Sequence, residues 1–246
     1  VAGIFSDVPI PAYTRRAGSD GRYNLMRLDG VCGRPCDETV MAKEGISVME
    51  RMDSERIALE YSGNLPFLVL CNGRNDMSMP WVNNPFFYRA LNNGHRGFAC
   101  YWNDGAHDMG SSIPSDIRDF YTLHPEMALN ISYPAFSNSS DNRNPGGGEK
   151  TDGDIVGWMN RGIYWSDLEE TENSWSVRLY MDGDFLPESL TVDVTPQRLT
   201  RFHIASNERL QVNGIERQAD ANGLLTISNV QLTKATPILL QMDRLP

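Results

Sequence analysis

Apolar runs alternate with helical patterns over the first 113 residues of the chain. The predicted strands are 1–8, 66–71 and 96–102, and the predicted helices are 39–60 and 80–93. The unbroken apolar character of 66–71 is typical of a strand that is buried on both faces of a parallel sheet. Strand, helix and strand joined by short connections predict a parallel, doubly wound α/β sheet.

The pattern changes after residue 113, where short alternating runs are separated by Gly, Asn, Asp and Pro. These runs are predicted strands at 128–133, 175–181, 190–194, 201–205, 209–212, 224–227 and 237–242. Many short strands at this spacing predict an antiparallel β-sandwich, and the polar, glycine-rich segment 137–153 is predicted to be a loop. We therefore expect an α/β part, residues 1–113, followed by a β-sandwich part, residues 114–246.

Composition and charge narrow the classes of partner. The chain has 246 residues, a net charge of -10 and no cluster of Lys and Arg, which argues against a nucleic-acid partner. No apolar run approaches the roughly 20 residues that a membrane-spanning helix needs, so no membrane partner is expected. No signal peptide is visible, and a secreted or periplasmic location is suggested only by analogy with other proteins that carry accessory sandwiches.

Two residues that follow neighbouring predicted strands are candidates for catalysis. Asp76 lies in the turn Asn72-Gly-Arg-Asn-Asp76 after the strand 66–71, and His107 lies in a loop of small residues after the strand 96–102. The carboxyl ends of parallel strands meet at one edge of a sheet, where ligands bind. A carboxylate there can orient an imidazole that acts as a general base. The order Asp then His favours this catalytic pair over two unrelated turn residues.

The passages Leu-Pro-Phe-Leu-Val-Leu-Cys-Asn-Gly-Arg-Asn-Asp76 and Asn-Asp-Gly-Ala-His107 resemble the acid turn and the histidine loop of α/β-hydrolases, especially the esterase and prolyl-oligopeptidase branches. The resemblance covers about residues 1–113. It implies a partial α/β-hydrolase sheet in which Asp76 and His107 are the last two members of a Ser-Asp-His triad. The implied substrate is a small ester, a peptide or a carbohydrate-linked compound, and no cofactor is implied.

The family's nucleophile motif, Gly-x-Ser-x-Gly, is missing from the chain. Ser19 follows a polar segment, and Ser6 lacks the flanking glycines, so neither fits the strained turn between a buried strand and a helix. Because Val1 opens a predicted strand, we expect the nucleophile to lie upstream of this chain, either in a longer protein or on a partner chain that carries the N-terminal half of the domain.

Other residue groups admit a functional and a structural interpretation. Asp141, Asp152 and Asp154 offer oxygen ligands for calcium, but a solvated loop is favoured because their spacing does not match the EF-hand loop. Trp81 either walls a substrate pocket or packs at the start of a helix. A group of aromatic residues either forms a sugar-stacking platform or fills the sandwich core: Trp158, Tyr164, Trp165 and Trp175.

The four cysteines do not make a disulfide scaffold in a chain of this length. Cys32 and Cys36 are close enough for a small disulfide loop, whereas Cys71 and Cys100 are expected to be buried free thiols. A function of another class also stays open: a non-catalytic scaffold, derived from a hydrolase, that binds carbohydrate or protein.

Overall fold

A computed structural model describes residues 3–7, 45, 51, 53–107, 112–123 and 127–245. Its first sheet has four strands in the order β1-β2-β3-β5. The strands are β1 (Gly3–Asp7), β2 (Phe67–Gly73), β3 (Phe98–Asn103) and β5 (Gly157–Met159). β1, β2 and β3 are parallel, as the sequence predicts, and β5 joins β3 in the antiparallel direction.

Helices cover one face of this sheet. They are α1 (Ser54–Glu60) and α2 (Asn84–Asn93), and a 3-10 turn, Trp81–Asn83, leads into α2. Asp53 caps α1, since its carboxylate accepts a hydrogen bond from the amide of Glu55, and Gly94 is the C-cap residue of α2. Two short helices, α3 (Ser115–Arg118) and α4 (Phe120–Leu123), follow β3.

The pleat of β2 and β3 divides their side chains between two hydrophobic clusters. Leu70, Phe98 and Trp102 pack with α1 and α2, whereas Val69 and Tyr101 point to the other face. That second face does not pack on long helices among the described residues. It packs on Phe120 and on aromatic residues of the antiparallel strands, so the α/β part and the later part of the chain share one core.

Two antiparallel sheets make up most of the remaining chain, with strand orders β10-β9-β12-β7-β6 and β11-β8-β4. Their bounds are β4 Tyr133–Ser137, β6 Ile163–Glu170, β7 Ser174–Met181, β8 Ser189–Gln197, β9 Arg209–Val212, β10 Ile215–Gln218, β11 Ile227–Thr233 and β12 Ile238–Arg244. The inner faces of both sheets contribute to the same core, as β7 shows by burying every second residue. The fold is therefore mixed α/β and β-rich, with several antiparallel sheets.

Three predicted strands are wrong or displaced, and the polar contacts explain two of them. The segment 201–205 is irregular because the amides of Thr200, Arg201 and Phe202 donate to the Glu170 carboxylate instead of to a neighbouring strand. The strand predicted at 224–227 begins only at Ile227, since the Asp220 side chain holds the preceding residues in a turn. The strand predicted at 128–133 begins only at Tyr133.

Three strands were not predicted from the sequence: β5, β6 and β10. β5 has only three residues, and the exposed side of β6 carries Asp167 and Glu169. All four side chains of β10 are exposed, so no apolar alternation marks it. Among the described residues, no helix has the length and apolar character needed to cross a membrane.

Candidate active site

Asp76 lies in a tight turn that follows β2. Its backbone amide donates to the Gly73 carbonyl oxygen over 3.2 Å, and its side chain is 1% exposed. The carboxylate oxygen Oδ1 accepts from the amides of Ser78 and Met79, at 2.6 and 2.8 Å. These contacts fix the carboxylate and leave its second oxygen, Oδ2, directed to another partner.

That partner is His107, in the loop after β3. The distance from His107 Nδ1 to Asp76 Oδ2 is 2.9 Å, and the His107 side chain is 50% exposed. Since Asp76 is an acceptor here, Nδ1 carries the proton and Nε2 of a neutral ring is an acceptor. Within the described part of the chain, no residue hydrogen-bonds Nε2. The structure thus brings together the two residues that follow neighbouring parallel strands.

The two turns are joined by their backbones. The amide of Arg74 donates to the Asn103 carbonyl oxygen at 2.8 Å, and the amide of Asn75 donates to that of Gly105 at 2.9 Å. The Asn75 side chain adds a bond to the Asp104 carbonyl oxygen at 2.6 Å. The relative position of Asp76 and His107 therefore follows from a continuous set of hydrogen bonds between the ends of β2 and β3.

Gly73 makes this close approach of the two turns possible. A Cβ atom at this position would lie 2.3 Å from the Ala106 carbonyl oxygen and 2.4 Å from that of Gly105. Both oxygens belong to the backbone of the loop that carries His107, so no side-chain rotation could relieve the contact. The site requires glycine here for its lack of a side chain.

Arg74 connects the turn to a distant loop. Its guanidinium is 1% exposed and donates to three carbonyl oxygens, those of Glu149 at 2.9 Å and of Asp152 and Asp154 at 2.5 Å. We call residues 149–154 the cradle loop. Burial lowers the pKa of the Arg74 guanidinium, and the carboxylates of Asp152 and Asp154 oppose that shift. The loop is thus organised around an internal cation.

The calcium interpretation of this loop is not supported. Among the described residues, no three carboxylate, imidazole or thiol groups converge as a metal site. Asp141 accepts from the Trp158 indole at 2.8 Å. The Asp152 carboxylate accepts the backbone amide of Gly147, and the Asp154 carboxylate accepts that of Asn144. The cationic group that the loop does contact is the Arg74 guanidinium.

Trp81 packs inside the protein and has almost no exposed surface. Its side chain is 1% exposed, and its ring lies 5.9 Å from those of Tyr88 and Trp102. The Arg74 guanidinium lies over the Trp81 ring at 5.4 Å from its centroid. The helix-packing interpretation is therefore the one that fits its position.

Most of the proposed sugar platform belongs to the core. Trp165 and Trp175 are buried, and the Trp175 indole donates to the Ser132 hydroxyl. Tyr164 is buried in the same core, and its side chain also reaches the wall of an open cleft of about 540 Å³ that Tyr180 and Phe185 line. The cleft was not predictable from the sequence, because its walls come from α3, β6, β7 and the loop after β7. The cleft also has charged walls: Asp116, Asp119, Arg161, Asp182 and Asp184.

The remaining candidates give no nucleophile in the described part of the chain. Ser6 lies within β1, paired with Leu70 of β2, instead of in a strand-to-helix turn. Ser19, Cys32 and Cys36 lie outside the described residues. Cys71 and Cys100 are buried free thiols, as predicted.

Comparisons with known proteins add no family to this geometry. A scan of protein-family models, a search of curated proteins and a search of solved structures each gave no match to the chain.

Proposed function

We propose that the chain forms part of a serine-type hydrolase that cleaves an ester or peptide bond. The observation that carries this proposal is the 2.9 Å contact between the buried Asp76 carboxylate and the half-exposed His107 imidazole at the ends of two adjacent parallel strands. On this proposal the three parallel strands belong to an α/β-hydrolase sheet, and the nucleophilic serine lies outside the described residues, upstream in a longer protein or on a partner chain.

The two residues would act together. As the serine hydroxyl attacks the substrate carbonyl, His107 Nε2 takes the hydroxyl proton, and Asp76 stabilises the resulting imidazolium through Nδ1–H. The tetrahedral intermediate collapses to an acyl-serine when His107 returns the proton to the leaving group. Water then releases the acid by the same proton transfers, and the serine is regenerated.

Hydrolysis of p-nitrophenyl esters and of short peptides by the full native protein tests the proposal. We expect His107→Gln to lower kcat/KM by about 10³-fold, since general base catalysis contributes roughly 10²–10⁴-fold. The matched control is His203→Gln, the same change at an exposed histidine in the β-rich part of the chain. Equal rates for the His107→Gln and His203→Gln proteins would remove His107 from the mechanism.

A fluorophosphonate probe followed by peptide mass mapping locates the nucleophile independently. Labelling of a serine upstream of Val1 or on a partner chain, lost after competition with substrate, supports the proposal. Labelling of Ser19 would place the nucleophile within this chain, and an absence of any labelled serine would reject a serine mechanism.

The open cleft favours a second candidate function, a carbohydrate-binding scaffold. Rings of Tyr164, Tyr180 and Phe185 offer apolar surface, while the exposed carboxylates of Asp182 and Asp184 can accept hydrogen bonds from sugar hydroxyls. Calorimetric titration with a panel of neutral oligosaccharides tests it, with Tyr180→Ala expected to abolish binding and Tyr61→Ala, at an exposed tyrosine of another region, expected to keep it.

A further inference from the structure

We propose that Arg74 is a positioning residue for the Asp76–His107 pair, because it joins the turn that carries Asp76 to the cradle loop. This inference rests on the proposed hydrolase function and assigns a role to a loop that lies more than 70 residues away in sequence.

The contacts of Arg74 surround the segment that presents Asp76. The Arg74 amide is bonded to the carbonyl oxygen of Asn103 in the β3 turn, while its side chain extends to the three cradle-loop carbonyl oxygens. On the far side of Asp76, the Trp81 ring stacks on the same guanidinium. Both ends of the segment 74–81 are therefore tied to one buried group, and Asp76 lies between them.

The cradle loop has a shape that is specific for a planar, multivalent donor. Its three carbonyl oxygens belong to residues 149, 152 and 154, and Gly153, with a φ of +74°, lies against the backbone of Gly146. A guanidinium has five N–H donors in a fixed plane, whereas a lysine ammonium is a single point charge on a flexible stem. Loss of the guanidinium would remove one donor from each of these oxygens, although the Trp102 indole still donates to that of Asp154 and the Asp152 amide to that of Glu149. The tie between the loop and the turn would be lost, so the two could rearrange.

Arg89 provides a matched control, because it anchors Gly146, next to the cradle loop, without contacting the Asp76 turn. Its guanidinium donates to the Gly146 carbonyl oxygen at 2.7 and 2.8 Å, so it holds the same region of chain. It does so from α2, however, and its cation–π partner is Phe86 instead of Trp81. A change at Arg89 thus loosens the glycine-rich segment without releasing the Asp76 turn.

The experiment compares Arg74→Met, Arg74→Lys and Arg89→Met in the native full-length protein. For Arg74→Met we expect kcat for ester hydrolysis to fall about 100-fold with KM little changed, since a displacement of about 1 Å in a catalytic group has that effect. Arg74→Lys keeps the charge and should lose roughly tenfold, because it makes fewer of the bonds. Arg89→Met should stay within about threefold of wild type.

Addition of methylguanidinium gives a readout that a general loss of stability would not produce. We expect it to restore turnover to Arg74→Ala, by filling the vacated space between the carbonyl oxygens and Trp81, and to leave Arg89→Ala unchanged. Equal losses in the Arg74 and Arg89 variants, or no restoration by methylguanidinium, would overturn the proposal.

A spectroscopic measurement separates this inference from the proposed function. In protein with ¹⁵N-labelled histidine, the Nδ1–H signal of His107, assigned with His107→Gln, reports the bond to Asp76 whether or not any substrate is cleaved. We expect Arg74→Met to abolish this signal and Arg89→Met to retain it. If the signal behaves in this way but the native protein cleaves no substrate, the proposed hydrolase function is rejected. If the signal is unchanged in Arg74→Met, the positioning role of Arg74 is rejected.

Discussion

Substitution of Gly73 by alanine should separate the two turns of the candidate site. The added Cβ would lie 2.3 Å from the Ala106 carbonyl oxygen, and an ordinary contact of roughly 3.4 Å requires the loop to retreat by about 1 Å. If His107 moves with that loop, its 2.9 Å contact with Asp76 lengthens to about 3.9 Å, which is no longer a hydrogen bond. We expect turnover to fall about 100-fold.

The same change should destabilise the protein by about 1–3 kcal/mol, the usual cost of overpacking. Gly94→Ala is the matched control, since its Cβ would lie 2.3 Å from the Ala58 carbonyl oxygen, at the contact between α1 and α2. Urea unfolding should therefore show similar losses of stability for both variants, while ester hydrolysis is lost only in Gly73→Ala. Retention of wild-type turnover by Gly73→Ala, or an equal loss in Gly94→Ala, would refute this reasoning.

Two further predictions concern pH and thiol chemistry. Burial lowers the pKa of His95 below 6.5, so its contribution to stability is complete above that pH and is lost as the pH falls through the lower folded-state value. Asparagine is chosen to replace His95 because it tolerates the positive φ of 51° at this position. Between about pH 7.5 and pH 5, the melting temperature of wild type should therefore drop more than that of His95→Asn. Equal drops in melting temperature for the two proteins would contradict this. Burial also raises the pKa of the Cys100 thiol. Because Cys71 and Cys100 are both buried, iodoacetamide should label them only after unfolding. Peptide mass mapping that finds either label on native protein would contradict their place in the core.

Local sequence patterns were sufficient to predict the parts of the fold that obey a simple period. β2 begins with an unbroken apolar run, and β7 alternates between buried and less buried residues, so both are visible in the sequence. The proximity of Asp76 and His107 was predictable for a related reason, because each follows a parallel strand and adjacent strands end at one edge. The β6 strand was not predicted, because its acidic residues obscure the alternation of apolar and polar positions.

Contacts between residues far apart in sequence could not be predicted in this way. Asp141, Asp152 and Asp154 were candidate calcium ligands by residue type alone, and their spacing favoured a solvated loop. In the structure the backbone carbonyl oxygens of Asp152 and Asp154 accept from the Arg74 side chain, more than 70 residues earlier. No local pattern links these residues. The cleft lined by Tyr164 and Phe185 was missed for the same reason, since its walls meet only in the folded chain.

The antiparallel pairing of β5 with β3 has a consequence for recombination of this chain. A protein whose C-terminal half were an independent module could exchange it for another by fusion at residue 113. Here such a fusion would uncover the β3 backbone from Cys100 to Trp102 and remove the carbonyl oxygens that hold Arg74. We therefore expect the two halves to be inherited together, and chimaeras joined between them to aggregate through the uncovered strand.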